Sequence, residues 1–377
     1  MKEVFDVIST YAQLVDELCV KYSKLYGFEP FNISMWDPSD EFSQKMLPFL
    51  DIKYPQNVIN YKYTHQIIDI KDQLLKQFSI DPAKKNGIIT PNGTSSIMLA
   101  VHWIKMKGHK RLHVLCPSYF SLINNCQMED IEFVKHDMNY KTGQIKGIDA
   151  KDYKGGVFWF TNPFYSLGHH ITGESLKLIE ELLNDNIVIV DDCVAQKGKE
   201  LSRYFGNHPN FLGMYAPHKS ISVNGVKFSM LTFNNEDKTF FEQCIDFICG
   251  GLNVASLAAI DHYLNGNYDF YRQVFQETIN KTHEWVENIC ANTHGAFYIN
   301  KDRHYLGSIF FPELPYELGG NKDFLWDITN KTGATFIPGI LNNYPEESGF
   351  SFRINMARDS TQFRDKLTQV LSFLGKG

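Results

Sequence analysis

Apolar positions along this chain follow two rhythms. Between residues 4 and 26, Val4, Ile8, Tyr11, Leu14, Leu18 and Tyr22 recur at helical spacing, which predicts an amphipathic helix ended by Gly27 and Pro30. From about residue 64 helical stretches alternate with short apolar runs. The expected order is helix 65–78, strand 87–90, helix 94–106, strand 112–116, helix 121–128, strands 131–136 and 157–161, then helix 174–183. The run Ile187-Val188-Ile189-Val190 is apolar throughout. Strands of that kind, separated by helices, are covered on both faces, so they predict a mainly parallel sheet in a three-layer αβα unit.

After residue 211 the rhythm changes. Strands at 211–215 and 228–233 flank a loop rich in Ser, Asn and Gly, and helices at 238–248, 255–264 and about 268–291 follow. Strands at 296–299, 307–311, 335–337 and 351–356, with helices at 323–331 and 361–374, then predict a smaller α+β unit. At 377 residues the chain exceeds one ordinary core. The expected division is a large domain over 46–280, and a small domain from 281–377 with the N-terminal 1–45.

Composition narrows the classes. Apolar residues make up 43% and charged residues 21%, as in a soluble globular protein, and no apolar run is long enough for a membrane span. A net charge of −6 supplies no basic field for nucleic acid or anionic membrane. The seven cysteines are scattered and form no CxxC pair, so they read as reduced thiols of a cytoplasmic protein, with no metal site and no disulfide framework. The N-terminal helix carries acids throughout, unlike a signal peptide or organelle presequence.

Several segments carry chemistry. Asn92-Gly93-Thr94 stands between a strand and a helix, where backbone N–H groups and a hydroxyl make an anion cradle; Asn92 or Thr94 would equally serve as the helix N-cap. Cys116-Pro117-Ser118-Tyr119 closes a strand, and Thr161-Asn162-Pro163-Phe164-Tyr165 closes another. Asp191 ends the apolar strand, at the edge where α/β sheets put their sites; Asp192 is its rival, and strand alternation lets one of the two face a ligand. Tyr215-Ala216-Pro217-His218-Lys219-Ser220 is followed by Gly225 and, eight positions after Lys219, by Lys227. Arg353 lies in the late strand Phe350-Ser351-Phe352-Arg353-Ile354-Asn355, and its planar fork suits a carboxylate.

In order and spacing these landmarks resemble the fold-type I enzymes of pyridoxal 5′-phosphate (PLP), and within them the class I/II aminotransferases, from Tyr61 to Arg353 or about four fifths of the chain. The resemblance implies that Lys219 carries PLP as a Schiff base and shuttles a proton as general base and acid. It further implies that Asp191 pairs with the pyridine nitrogen, Tyr119 stacks on the ring, and Asn92, Gly93, Thr94 and Lys227 hold the phosphate. The phenolic oxygen falls to Asn162 or to Tyr165, which stands where the family has a second asparagine. Arg353 would grip the substrate α-carboxylate, with Arg358 as the rival. Tyr63, or Tyr61, would reach the neighbouring subunit's phosphate, which implies a homodimer with shared sites. Three positions depart from the family: Ala216 replaces a serine, Lys227 an arginine, and Val194 a tyrosine. The expected activity moves an amino group between an amino acid and a keto acid. A PLP-dependent lyase, cyclase or α-oxoamine synthase, or a non-catalytic binding protein, would keep the same core residues. His218 would tune Lys219, touch substrate, or pack on the sheet.

Overall fold

The runs that are apolar throughout sit at the centre of one sheet. The structure, a computed structural model, describes residues 2–46 and 67–375, with side chains from Leu14 onward. A two-residue strand, β1 (Phe31–Asn32), precedes seven that form the main sheet. These are β2 (Lys85–Thr90), β3 (Arg111–Leu115), β4 (Glu132–His136), β5 (Val157–Thr161), β6 (Ile187–Asp192), β7 (Phe211–Tyr215) and β8 (Ser229–Asn234). Their spatial order is β2-β8-β7-β6-β5-β3-β4. β8 is antiparallel to both neighbours and the other pairs are parallel, so six strands point one way and end along one edge.

The alternation of side chains divides the core. Val114, Trp159, Ile189 and Leu212 face helices Gly93–Met106, Phe120–Met128 and Lys238–Cys249. Phe158, Phe160, Val188 and Val190 face helix Gly173–Leu183 on the other side. This is the three-layer α/β arrangement expected from the sequence.

Beyond it, β9 (Phe297–Tyr298), β10 (Leu306–Phe311) and β12 (Phe350–Asn355) form a small antiparallel sheet, while β11 (Ala334–Thr335) pairs in parallel with β1. The N-terminal helix Lys2–Tyr26 packs Leu14 and Leu18 into a cluster with Leu325 and Ile328 of helix Lys322–Thr332. Helix Tyr268–Ala291 runs unbroken through residue 280. Its cluster takes in Ile89 and Tyr215 of the main sheet together with Ile309 and Phe352 of the small one.

Some bounds differ from the sequence reading. The helix expected at 65–78 is Ile68–Gln77, with residues 65 and 66 outside the described residues. β2 starts two residues early, at Lys85, whose ammonium is buried and donates to the carbonyls of Pro209 and Phe211 and to Asn234 Oδ1. A lysine so partnered reads as a surface residue in the sequence. The strand expected at 335–337 is instead Ala334–Thr335, paired residue for residue with the two of β1. No described helix is long and apolar enough to cross a membrane.

Candidate active site

Five loops that follow the aligned strand ends converge on one pocket, lined by Trp36, Gly93, Ile97, Tyr119, Thr161, Tyr165, Asp191, Cys193, Val194 and Lys219. The loops come after β2, β3, β5, β6 and β7. Convergence of this kind follows from a parallel sheet whose strand ends share an edge.

Alternation decides which carboxylate enters. Asp191 lies in register with Thr161 on β5, and both point to the cavity. Asp191 Oδ1 accepts from the Cys193 N–H at 3.0 Å. Asp192 faces the opposite side, accepting from Asn162 Nδ2 at 2.6 Å and the Leu201 N–H at 3.0 Å, and burial raises its carboxyl well above the usual range. Asn162 is turned the same way: its amide also donates to the Lys199 carbonyl, and its Oδ1 accepts from the Ile171 N–H. Of the two expected contacts for the phenolic oxygen, the structure therefore brings Tyr165 to the cavity and not Asn162. The residue after Thr161 must point away from it.

Lys219 sits in a 3-10 turn, Pro217–Ile221, anchored where Tyr268 OH and Ser220 Oγ bond the Pro217 carbonyl. Its Nζ lies 5.6 Å from the Trp36 ring centre and 5.8 Å from that of Tyr119. A Cβ placed on Gly93 would come within 3.2 Å of Lys219 Nζ and 3.1 Å of Cys193 Sγ, so glycine keeps this approach open. Asn92 is the N-cap of the next helix, its Oδ1 accepting from the Ser95 N–H at 3.0 Å. Thr94 is exposed and hydrogen-bonds the Tyr119 hydroxyl, whose pKa burial raises. Lys227 is pulled below the usual lysine range by burial and then by the charge of Lys219, with Asp37 opposing. Two lysines that feel each other's charge favour an anion between them.

Arg353 is fully buried in β12. Its Nη1 donates to the Tyr165 hydroxyl at 2.7 Å, its Nη2 to the Ser34 carbonyl, and its guanidinium carbon lies 4.8 Å from the Trp36 ring centre. Arg358 instead donates to the Asp37 carbonyl and lies over Phe31. His218 is buried behind the turn against His262, Tyr263 and Tyr268, and burial lowers its pKa to about 3, so it packs there as a neutral ring. Tyr61 and Tyr63 lie outside the described residues.

Trp36, Thr161 and Cys193 were not singled out in the sequence. Alternation from Asp191 points to Cys193, and the β5–β6 register to Thr161; nothing in the sequence marks Trp36. The site also fits PLP on its own terms. It offers a carboxylate and an amine in one cavity, an approach at Gly93 that a side chain would crowd, and a buried Thr161 hydroxyl without a partner among the described residues.

No family profile matches the sequence. Solved aminotransferases, however, superpose over nearly the whole chain. An aspartate aminotransferase from Rhizobium meliloti aligns at a TM-score of 0.72 and 12% identity, over 96% of this chain and 94% of that one. An alanine aminotransferase from Pyrococcus furiosus aligns at 0.71 and 15% identity, over 98% of each chain. An Escherichia coli protein with a methionine aminotransferase function aligns at 0.71 and 10% identity, over 97% of this chain and 96% of that one. The chain has the aminotransferase fold. In sequence it is 25% identical over 213 residues to a histidinol-phosphate aminotransferase of Clostridium beijerinckii, across 55% of this chain and 54% of that protein. It thus spans about half the length of the curated relative it matches.

Proposed function

We propose that this protein is a PLP-dependent aminotransferase of class I/II, exchanging an amino group between an amino acid and a keto acid, with Lys219 as the cofactor lysine. The observation that carries this reading is the meeting of Lys219, Asp191, Gly93 and Tyr119 in one cavity at the aligned strand ends. PLP, when bound, supplies the electron sink that weakens a bond at the amino acid Cα. Asp191 is the carboxylate suited to keep the ring nitrogen protonated, since an opposite charge in a dry site favours the charged form. Gly93, Thr94 and Lys227 would hold the phosphate; Asn92, committed to capping, supports that turn. Tyr119 would stack on the ring and the Tyr165 hydroxyl would meet the phenolic oxygen. Arg353 orients the substrate by its carboxylate, and Lys219 Nζ takes the Cα proton and returns it two atoms along, to the carbon on the far side of the amino nitrogen.

Replacing Lys219 by Ala should abolish the visible absorbance of bound PLP, and amino donors should convert the wild-type cofactor to its amine form with release of a keto acid. An unchanged spectrum in the variant overturns the assignment. We further propose a cytoplasmic homodimer in which Tyr63 completes the partner's phosphate site. The chain is divided into domains over 46–280 and over 1–45 with 281–377. Sedimentation and limited proteolysis test those two points.

A further inference from the structure

Trp36 lines the cavity, and the backbone that carries it is pinned from two sides. Asn224, between Lys219 and Lys227, donates from Nδ2 to the Trp36 carbonyl at 2.8 Å. Asn355, two residues after Arg353, donates to the carbonyls of Met35 at 2.8 Å and Trp36 at 3.2 Å. The indole held in this way has the Arg353 guanidinium carbon at 4.8 Å and Lys219 Nζ at 5.6 Å from its ring centre, with Tyr119 edge-on at 6.1 Å.

We propose that Trp36 is the residue that selects the substrate, and that the preferred donor is an amino acid with an aromatic or large apolar side chain. The inference rests on the aminotransferase reading of the site. A donor held by its carboxylate at Arg353 and by its nitrogen near Lys219 spans two groups that both lie against the indole, so its side chain leaves alongside Trp36. Of the other lining residues, Ile97 and Val194 are apolar and Tyr119 and Tyr165 aromatic, while the carboxylate of Asp191 is the one the proposed cofactor ring would take. A flat indole matches a second ring, by stacking or edge contact, better than it matches a charged group. Among the described residues Lys219 is the cation that lines the cavity, with Arg353 against the Trp36 ring and Lys227 near Lys219, and the aminotransferase reading assigns these to the nitrogen, the α-carboxylate and the cofactor phosphate. A second carboxylate or a side-chain phosphate on the donor would be desolvated there without a counter-charge.

The test uses the full-length, PLP-loaded protein. Calorimetry measures binding of hydrocinnamate and of succinate, two unreactive carboxylates, and single-turnover absorbance measures conversion by phenylalanine and by aspartate. We expect hydrocinnamate to bind at least about tenfold tighter than succinate, and phenylalanine to react faster than aspartate. Trp36→Ala should reduce the hydrocinnamate-to-succinate ratio by about tenfold, whereas Trp36→Phe should keep it within about threefold. Thermal unfolding confirms that each variant is folded, and the Phe variant keeps the comparison valid if the Ala variant is not. Tighter binding of succinate, faster reaction of aspartate, or a ratio indifferent to both substitutions overturns the proposal. If no donor converts the cofactor while hydrocinnamate binding still depends on Trp36, the reaction reading fails and the assignment of Trp36 stands.

Discussion

Asn162 donates from Nδ2 to the Asp192 carboxylate at 2.6 Å, on the face of the sheet opposite Thr161 and Asp191. The pair is buried, and burial has already pushed the Asp192 carboxyl upward against the hydrogen bonds from Asn162 and Leu201. Asn162→Ala should therefore cost about 1–3 kcal/mol of stability, read as a lower urea midpoint at unchanged slope. The absorbance of bound PLP should persist. Loss of that absorbance at full stability would make Asn162 a cofactor contact after all.

Gly93→Ala separates binding from folding. The position opens helix Gly93–Met106, and its backbone does not require glycine's left-handed region. Alanine suits a first helical turn, so unfolding should change little. The new Cβ would crowd Lys219 Nζ and Cys193 Sγ, and PLP affinity should fall by about tenfold in an absorbance titration.

Tyr165→Phe removes the hydroxyl that accepts from Arg353 Nη1 in a buried setting. Hydrogen bonds to charged groups contribute about 1.5–3 kcal/mol, so kcat/KM for amino donors should fall by about ten- to a hundredfold. Steady-state kinetics with saturating keto acid decide it. A fall of less than about threefold would mean that the Tyr165 hydroxyl has no part in the reaction.

Acid should unfold the protein through its buried imidazoles. Burial lowers the pKa of His218 and His304 to about 3 and of His283 to about 4. In the unfolded chain these groups titrate near 6.5, so below that pH the unfolded state binds protons that the folded state does not. Their effect on stability is nil above about pH 6.5 and grows more unfavourable as pH falls toward about 4. Urea midpoints across that range should decline with acidity; a flat profile would mean that these rings take up protons in place.

Much of the fold was legible because the central strands are apolar on both faces, and helices Tyr268–Ala291 and Thr361–Leu374 carry long periodic patterns. Two-residue strands such as β1 and β11 are too short to have a period, and they form only because each supplies the other's hydrogen bonds. Within the site, alternation said only that one of Asp191 and Asp192 could face a ligand, and the resemblance supplied the choice of Asp191. The same rule applied to Thr161 and Asn162 turns Asn162 away, but motif spacing pulled against it. A spacing gives sequence order and says nothing of which face a side chain takes. Trp36 was out of reach for another reason: its place depends on Asn224 and Asn355, which meet only after the chain has folded.

The two asparagines that grip the Trp36 carbonyl also bear on redesign. A donor preference transplanted from another protein by exchanging residues 33–37 alone would arrive without its supports, since one lies in the lysine loop and the other in the arginine strand. Specificity here is a property of three segments distant in sequence, and they would have to be exchanged together.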